Sequence, residues 1–301
     1  MEAYLSAAPA AAPDARYTNG RIALYLALAF GLAWLLELGL LLTGTSPAGG
    51  GVRFTLVAQA VMLCPAIATV ITLRGPKRGF GDAGLRPLFK RSWRYYLVAF
   101  LLPVGITAVA TALTLLLGQA RLDFTLPALR PLLHGAPVTP ALTAAVVAQT
   151  VVEGSLIGTL LGMGEELGWR GYLLPALLRR GLSLHAAFIV SGIIWGLWHA
   201  PLILMGYNYP HTPVLGVAMF CVFTVLATYV LGWLRLASGT TWTAALGHSA
   251  IDQSASGAGL LLAPGSYNTS IGTVVGPIGW LPLAAVTLWL IVTGRIRRLK
   301  V

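Results

Sequence analysis

Eight stretches of the chain are nearly free of charge and dense in Leu, Val, Ala, Ile and Phe. They fall at about 22–43, 54–73, 94–117, 141–165, 185–205, 213–235, 241–262 and 275–294. Several exceed 18 residues, enough to cross about 30 Å of hydrocarbon as helices. The pattern predicts an all-α polytopic membrane protein, a bundle of about eight transmembrane helices. The fourth stretch is expected to run on past Arg170, because Gly171 to Arg180 still reads as helix until Gly181. No internal repeat is visible and the connections are short, so residues 19–301 form one domain with a motif core at about 140–262. Residues 1–18 are Ala- and Pro-rich and are expected to be a disordered tail. They lack the basic start and apolar core of a signal peptide.

Composition agrees with this. Of 301 residues, 57% are hydrophobic and 10% charged, against roughly 25% charged in a soluble domain. Cys64 and Cys221 lie far apart in apolar segments and read as small hydrophobes. The net charge of +11 would point to nucleic acid in a soluble protein, but here its placement follows the membrane. Seventeen of the 20 Lys and Arg residues fall on one side of the predicted bundle; Arg53, Arg121 and Arg130 fall on the other. Cytoplasmic loops carry such an excess, so both termini are predicted cytoplasmic in an integral, multi-pass protein of the cell membrane. The seven basic residues from Arg74 to Arg94, interleaved with Leu85, Leu88 and Phe89, suit a short helix on anionic headgroups. Membrane lipids, not nucleic acid, are the expected partners.

Few ionisable residues remain in the spans: Glu37, Glu153, Glu165, Glu166, His199, His248 and Asp252. Such groups are costly in hydrocarbon and mark function by default. His248 and Asp252 are four apart and share a helix face. Glu165 and Glu166 differ by about 100° around theirs, so one can face a reaction centre while the other holds Arg170. Pro201 leaves a gap in the backbone ladder beside His199 and is expected to bend that segment. Glu37 and Glu153 have no motif around them and read as buried polar contacts between helices. Taken singly, each His or Glu could be a packing residue. The set of acids and histidines on three helices forms a hydrolytic inventory of base, possible metal ligands and brace.

Glu165-Glu166-x-x-x-Arg170, then Trp195-x-x-x-His199, then His248-x-x-x-Asp252 resembles the CPBP family of intramembrane proteases, which spans CAAX prenyl proteases and Abi-type proteins of bacteriocin processing and immunity. The family pattern has Phe where Trp195 stands and more often Asn where Asp252 stands. Trp195 keeps the bulk and helical position of that Phe. The resemblance implies an endopeptidase cleaving a peptide bond of a membrane-associated or lipidated substrate. It implies Glu165, Glu166, Arg170, His199, His248 and Asp252 as the catalytic set. Two schemes follow from the family. In one, Glu165 and His199 activate water while His248 and residue 252 donate to the oxyanion. In the other, a divalent metal such as zinc is held by Glu165, His199, His248 and Asp252.

An ionised Asp252 has no hydrogen to donate, which favours the metal-assisted scheme with Glu165 as base or ligand. Glu166 with Arg170 is then the brace. One geometric difficulty stands. From the predicted inner edge, His248 lies roughly 10 Å deep and His199 about 21 Å, while Glu165 sits near that edge. A shared site opening toward the cytoplasm requires the helices to be shifted. Competing readings are a non-catalytic membrane immunity or scaffold protein and a proton-coupled transporter.

Overall fold

Polar caps and prolines set the helix starts in the computed structural model, which describes residues 15–47, 49, 51–74 and 80–299. Among these residues the order is α1 (Asn19–Leu42), α2 (Gly51–Leu73), α3 (Phe89–Leu116) and α4 (Pro140–Gly168). A π-helical turn, Trp169–Leu173, joins α4 to α5 (Leu174–Arg179). Then come α6 (Leu184–Trp198), α7 (Ala200–Leu204), α8 (Pro213–Ser238), α9 (Thr241–Gly259) and α10 (Pro277–Val292). Thr18, Thr139, Ser183 and Thr240 each accept a first-turn N–H, capping α1, α4, α6 and α9.

Each of the eight predicted segments is a helix, and no strand forms among the described residues. Five pieces are long and apolar enough to cross a membrane: α1, α2, α3, α8 and the continuous rod Pro140–Arg179. Helices α6 and α10 are apolar but shorter. The 19-residue α9 is not among the five. It carries His248, Ser249, Asp252, Gln253 and Ser254, and α3, α4 and α8 pack around it. Protein, rather than lipid, is what its polar groups meet.

Glycines decide how closely α9 approaches α4. Gly154, Gly158 and Gly162 repeat at four-residue spacing, and a Cβ on each would stand 2.7 Å from Gln253 Oε1, 2.4 Å from Ser249 Oγ and 3.0 Å from the Ala245 carbonyl. This small-residue stripe lets the two backbones meet. On another side of α4, a Cβ at Gly164 would lie 2.6 Å from the Met62 carbonyl of α2. The end of α4 is thus clamped between α2 and α9.

The rod does continue past Arg170, ending at Gly181 with φ +88°. The break expected near Pro201 falls at His199, which ends α6 and opens α7. Two other expectations differ from the structure. The predicted headgroup helix at Arg74–Arg94 is not one over 80–88, which form turns before α3; residues 75–79 lie outside the described set. Gly84 is left-handed (φ +65°), and a Cβ there would strike the Arg235 guanidinium at 2.6 Å. The carbonyls of Asp82, Ala83 and Leu85 accept from Arg235, Thr241 and Trp242 respectively. These bonds dock the turns against α8 and α9 in place of a surface helix. Of the expected tail, residues 1–14 lie outside the described set, while Ala15–Tyr17 form a 3-10 turn with Tyr17 buried and Arg16 paired with Asp82 at 3.0 Å.

Candidate active site

Glu165 and Glu166 follow each other at the clamped end of α4, and their carboxylates diverge. Glu165 Oε2 accepts from the indole Nε1 of Trp195 at 2.7 Å and of Trp169 at 3.3 Å. Its Oε1 takes no hydrogen bond among the described residues, and the side chain lines a cavity of about 510 Å³. Glu166 is fully buried, and its Oε1 accepts from Arg170 Nη1 and from His248 Nδ1, both at 2.8 Å. Arg170 is equally buried, donates from Nη2 to Thr228 Oγ1 at 3.0 Å, and lies 4.3 Å above the Trp195 ring. The buried carboxylate and guanidinium offset each other's charge through this contact, although Glu166 Oε2 and Arg170 Nε have no hydrogen bond among the described residues.

His199 stands at the break between α6 and α7. Its Nδ1 lies 3.0 Å from the Trp195 carbonyl. A carbonyl only accepts, so Nδ1 carries the hydrogen and Nε2 offers its lone pair. Rings of Trp198 and Phe220, each with its centroid 4.7 Å away, wall the imidazole. His248 is flanked on both nitrogens, by Glu166 at Nδ1 and by Asp252 Oδ2 3.5 Å from Nε2. Asp252 keeps 49% of its side chain exposed to the cavity side, unlike the two glutamates.

Glu165, His199, His248 and Asp252 line the same cavity, so the depth conflict in the sequence reading is resolved. The reason is local. Glu165 lies 14 residues before the rod ends at Arg179, roughly 20 Å in, which matches the depth of His199 at the end of α6. Glu166 and Arg170 do not line it; they sit behind it as the brace. Glu37 is buried as expected, yet neither of its oxygens has a hydrogen-bond partner among the described residues, where a polar contact was expected. Glu153 is exposed on α4 and is not buried at all.

Three participants escaped the sequence reading. Trp195 is more than a bulky stand-in for Phe, because its N–H bonds Glu165 while its carbonyl fixes His199 and its ring carries Arg170. Trp169 lay inside the first motif without a role. Tyr207, in the loop after α7, lines the cavity and had no motif to mark it.

The four residues expected to bind metal do not form a ligand set as they stand. Among the described residues no three His, Cys, Asp or Glu side chains are placed to share an ion. One oxygen of Glu165 is occupied by two indoles, and His248 turns its Nε2 toward Asp252.

The lining shows at which end of the bundle the cavity lies. It includes Tyr207, Asn208, Tyr267, Val274 and Val275, from the loops that follow α7 and α9. Those loops lie at the end of the bundle opposite Arg179 and Arg235, and no described residue of the basic-end loops lines the cavity.

A polytopic helical membrane protein with paired glutamates, a bracing arginine and two histidines around one cavity is thus the class defined by fold and site. Residues 147–254, which span all three motifs, match the family described as type II CAAX prenyl endopeptidase Rce1-like. This similarity, over about a third of the chain, agrees with the CPBP resemblance. The chain is also similar to a CAAX prenyl protease 2 of Methanococcus maripaludis, 51% identical over 47 residues. That match spans 16% of this chain and 17% of the relative's length.

Proposed function

We propose that the chain is an intramembrane endopeptidase that hydrolyses a peptide bond of a membrane-anchored, lipidated substrate, in the manner of a CAAX prenyl endopeptidase. The observation that carries this reading is Glu165: one carboxylate oxygen is held by two indole N–H groups while the other is left to a cavity shared with His199. A scaffold or immunity protein has no need to hold a carboxylate this way, and no repeat supports a transporter.

In this reading Glu165 Oε1 takes a proton from water as the oxygen attacks the scissile carbonyl carbon. His199 Nε2, the lone pair left by the Trp195 bond, orients that water. The C–N bond then breaks, and the proton on Glu165 passes to the leaving amine. Glu166 and Arg170 hold His248 against the site. Positioning residues of this kind act by keeping the reacting geometry narrow. No step of this reading requires a metal, and the metal-assisted scheme favoured from sequence is its rival. We place the basic end, with both termini, in the cytoplasm of a cell-membrane protein.

The test uses purified protein in liposomes with a prenylated fluorogenic peptide. Wild type releases the C-terminal fragment, and Glu165→Gln, His199→Ala and His248→Ala each abolish release while keeping a monodisperse, helical protein. Cleavage at the wild-type rate by Glu165→Gln overturns the assignment.

A further inference from the structure

Peptide hydrolysis places negative charge on the carbonyl oxygen, and a hydrogen-bond donor aimed at it is worth a large part of the rate. Among the motif side chains, the one N–H of the cavity wall outside a hydrogen bond is His248 Nε2, and it faces Asp252 Oδ2 3.5 Å away. Asp252 has no hydrogen to give when ionised, and both nitrogens of His248 face carboxylates. His199 spends its N–H on the Trp195 carbonyl, the Trp195 indole is spent on Glu165, and the Trp198 indole donates to the Ala29 carbonyl.

The loop after α7 fills this gap. Tyr207 lines the same cavity as Glu165, His199 and Asp252, within electrostatic reach of the Asp252 and Glu165 carboxylates. Its hydroxyl makes no hydrogen bond among the described residues and is not sealed away from the cavity. The loop is built to hold it there. Gly206 (φ +97°) and Asn208 (φ +61°) flank Tyr207 in left-handed conformations. The Tyr207 N–H bonds the Leu202 carbonyl at 2.9 Å, and the fully buried Tyr209 donates its hydroxyl to the Val275 carbonyl at 2.7 Å. Left-handed Asn is tolerated where tertiary contacts fix it.

We propose that Tyr207 is a catalytic residue whose hydroxyl donates to the oxyanion of the tetrahedral intermediate, the part an amide at position 252 would otherwise play. The assignment rests on the peptidase reading above.

Tyr207→Phe keeps the ring against Phe54 (centroids 6.1 Å apart) and removes only the hydroxyl. On the prenylated peptide in liposomes, kcat falls about 100-fold and KM changes less than about threefold, as for loss of one oxyanion donor. Asp252→Asn is then made in both backgrounds. Because it adds a donor, it raises kcat at least about tenfold more in Tyr207→Phe than in wild type. A binding arm needs no turnover. A phosphinic pseudopeptide, whose anionic tetrahedral centre mimics the intermediate, binds Tyr207→Phe about 100-fold more weakly, while the amide peptide binds within about threefold of wild type. Wild-type kcat in Tyr207→Phe, equal weakening of both ligands, or equal effects of Asp252→Asn in the two backgrounds overturns the proposal and leaves the peptidase reading intact. No cleavage by wild type overturns the peptidase reading, and this assignment falls with it.

Discussion

The indole of Trp195 donates to Glu165 Oε2 at 2.7 Å, and the carbonyl of the same residue accepts from His199. One residue therefore sets the position of both groups to which the proposed mechanism gives the water. The first expected consequence concerns Trp195→Phe, which preserves a ring over Arg170 and loses the N–H. A hydrogen bond to a charged group is worth about 1.5–3 kcal/mol, so kcat falls about 10- to 100-fold. Thermal unfolding in detergent moves little, because the ring contact remains. Single-turnover cleavage with a parallel melt checks both; an unchanged kcat would remove Trp195 from the site.

Much of this arrangement could be read from the chain. The eight segments, the continuation past Arg170 and the break at His199 follow from apolar length, Gly181 and Pro201. The pairing of Glu166 with Arg170 follows from i,i+4 spacing. Other features could not be read. The π-helical turn after Gly168 has no residue signature, and the clamping of α4 between α2 and α9 rests on close contacts that periodicity does not specify. Tyr207 and the docked turn at 80–88 depend on loop conformation, which periodicity does not encode. The directions in which the donors point, Glu165 toward two indoles and His248 toward Asp252, were likewise beyond the sequence, which gives donor types only.

Close approach at Gly164 gives a second expectation. A Cβ there meets the Met62 backbone oxygen at 2.6 Å, and backbone cannot step aside as a side-chain tip can. Gly164→Ala pushes α4 off α2, costs about 1–3 kcal/mol of stability, and displaces the neighbouring Glu165. Gly31, with no atom within 4 Å of its added Cβ, is the control. Melts of the two variants should separate clearly; equal melting temperatures would show that α2 is free to yield.

Chelation gives a third. Two indoles hold Glu165 Oε2 and Asp252 faces His248, an arrangement that suits the proposed carboxylate mechanism. Cleavage is expected to survive prolonged treatment with phenanthroline and EDTA, with elemental analysis confirming a metal-free protein. Activity that disappears and returns with zinc would restore the metal-assisted scheme.

The cavity lining gives a fourth. Asn208 and Arg179 lie at opposite ends of the bundle, and Arg179 keeps 57% of its side chain exposed. In a background with Cys64 and Cys221 changed to Ala, Asn208→Cys and Arg179→Cys should react with a membrane-impermeant maleimide from opposite sides. The basic excess assigns the Arg179 side to the cytoplasm, so Asn208→Cys labels in intact cells. Labelling of both positions from one side would show that the cavity reaches the cytoplasm.

The buried pair behind the site allows stability and catalysis to be separated. Glu166 and Arg170 are both fully buried, and Glu166 also holds His248. Removing one partner leaves an uncompensated charge, a loss of about 3–5 kcal/mol in buried pairs, whereas replacing both with apolar groups of similar volume is often neutral. Glu166→Leu and Arg170→Met should each lower yield and melting temperature sharply. The double variant should recover the melting temperature to near wild type. It should not recover cleavage, because His248 Nδ1 then faces no carboxylate and its ring is free to leave the wall of the cavity. A folded double variant with wild-type kcat would show that the brace serves the fold alone.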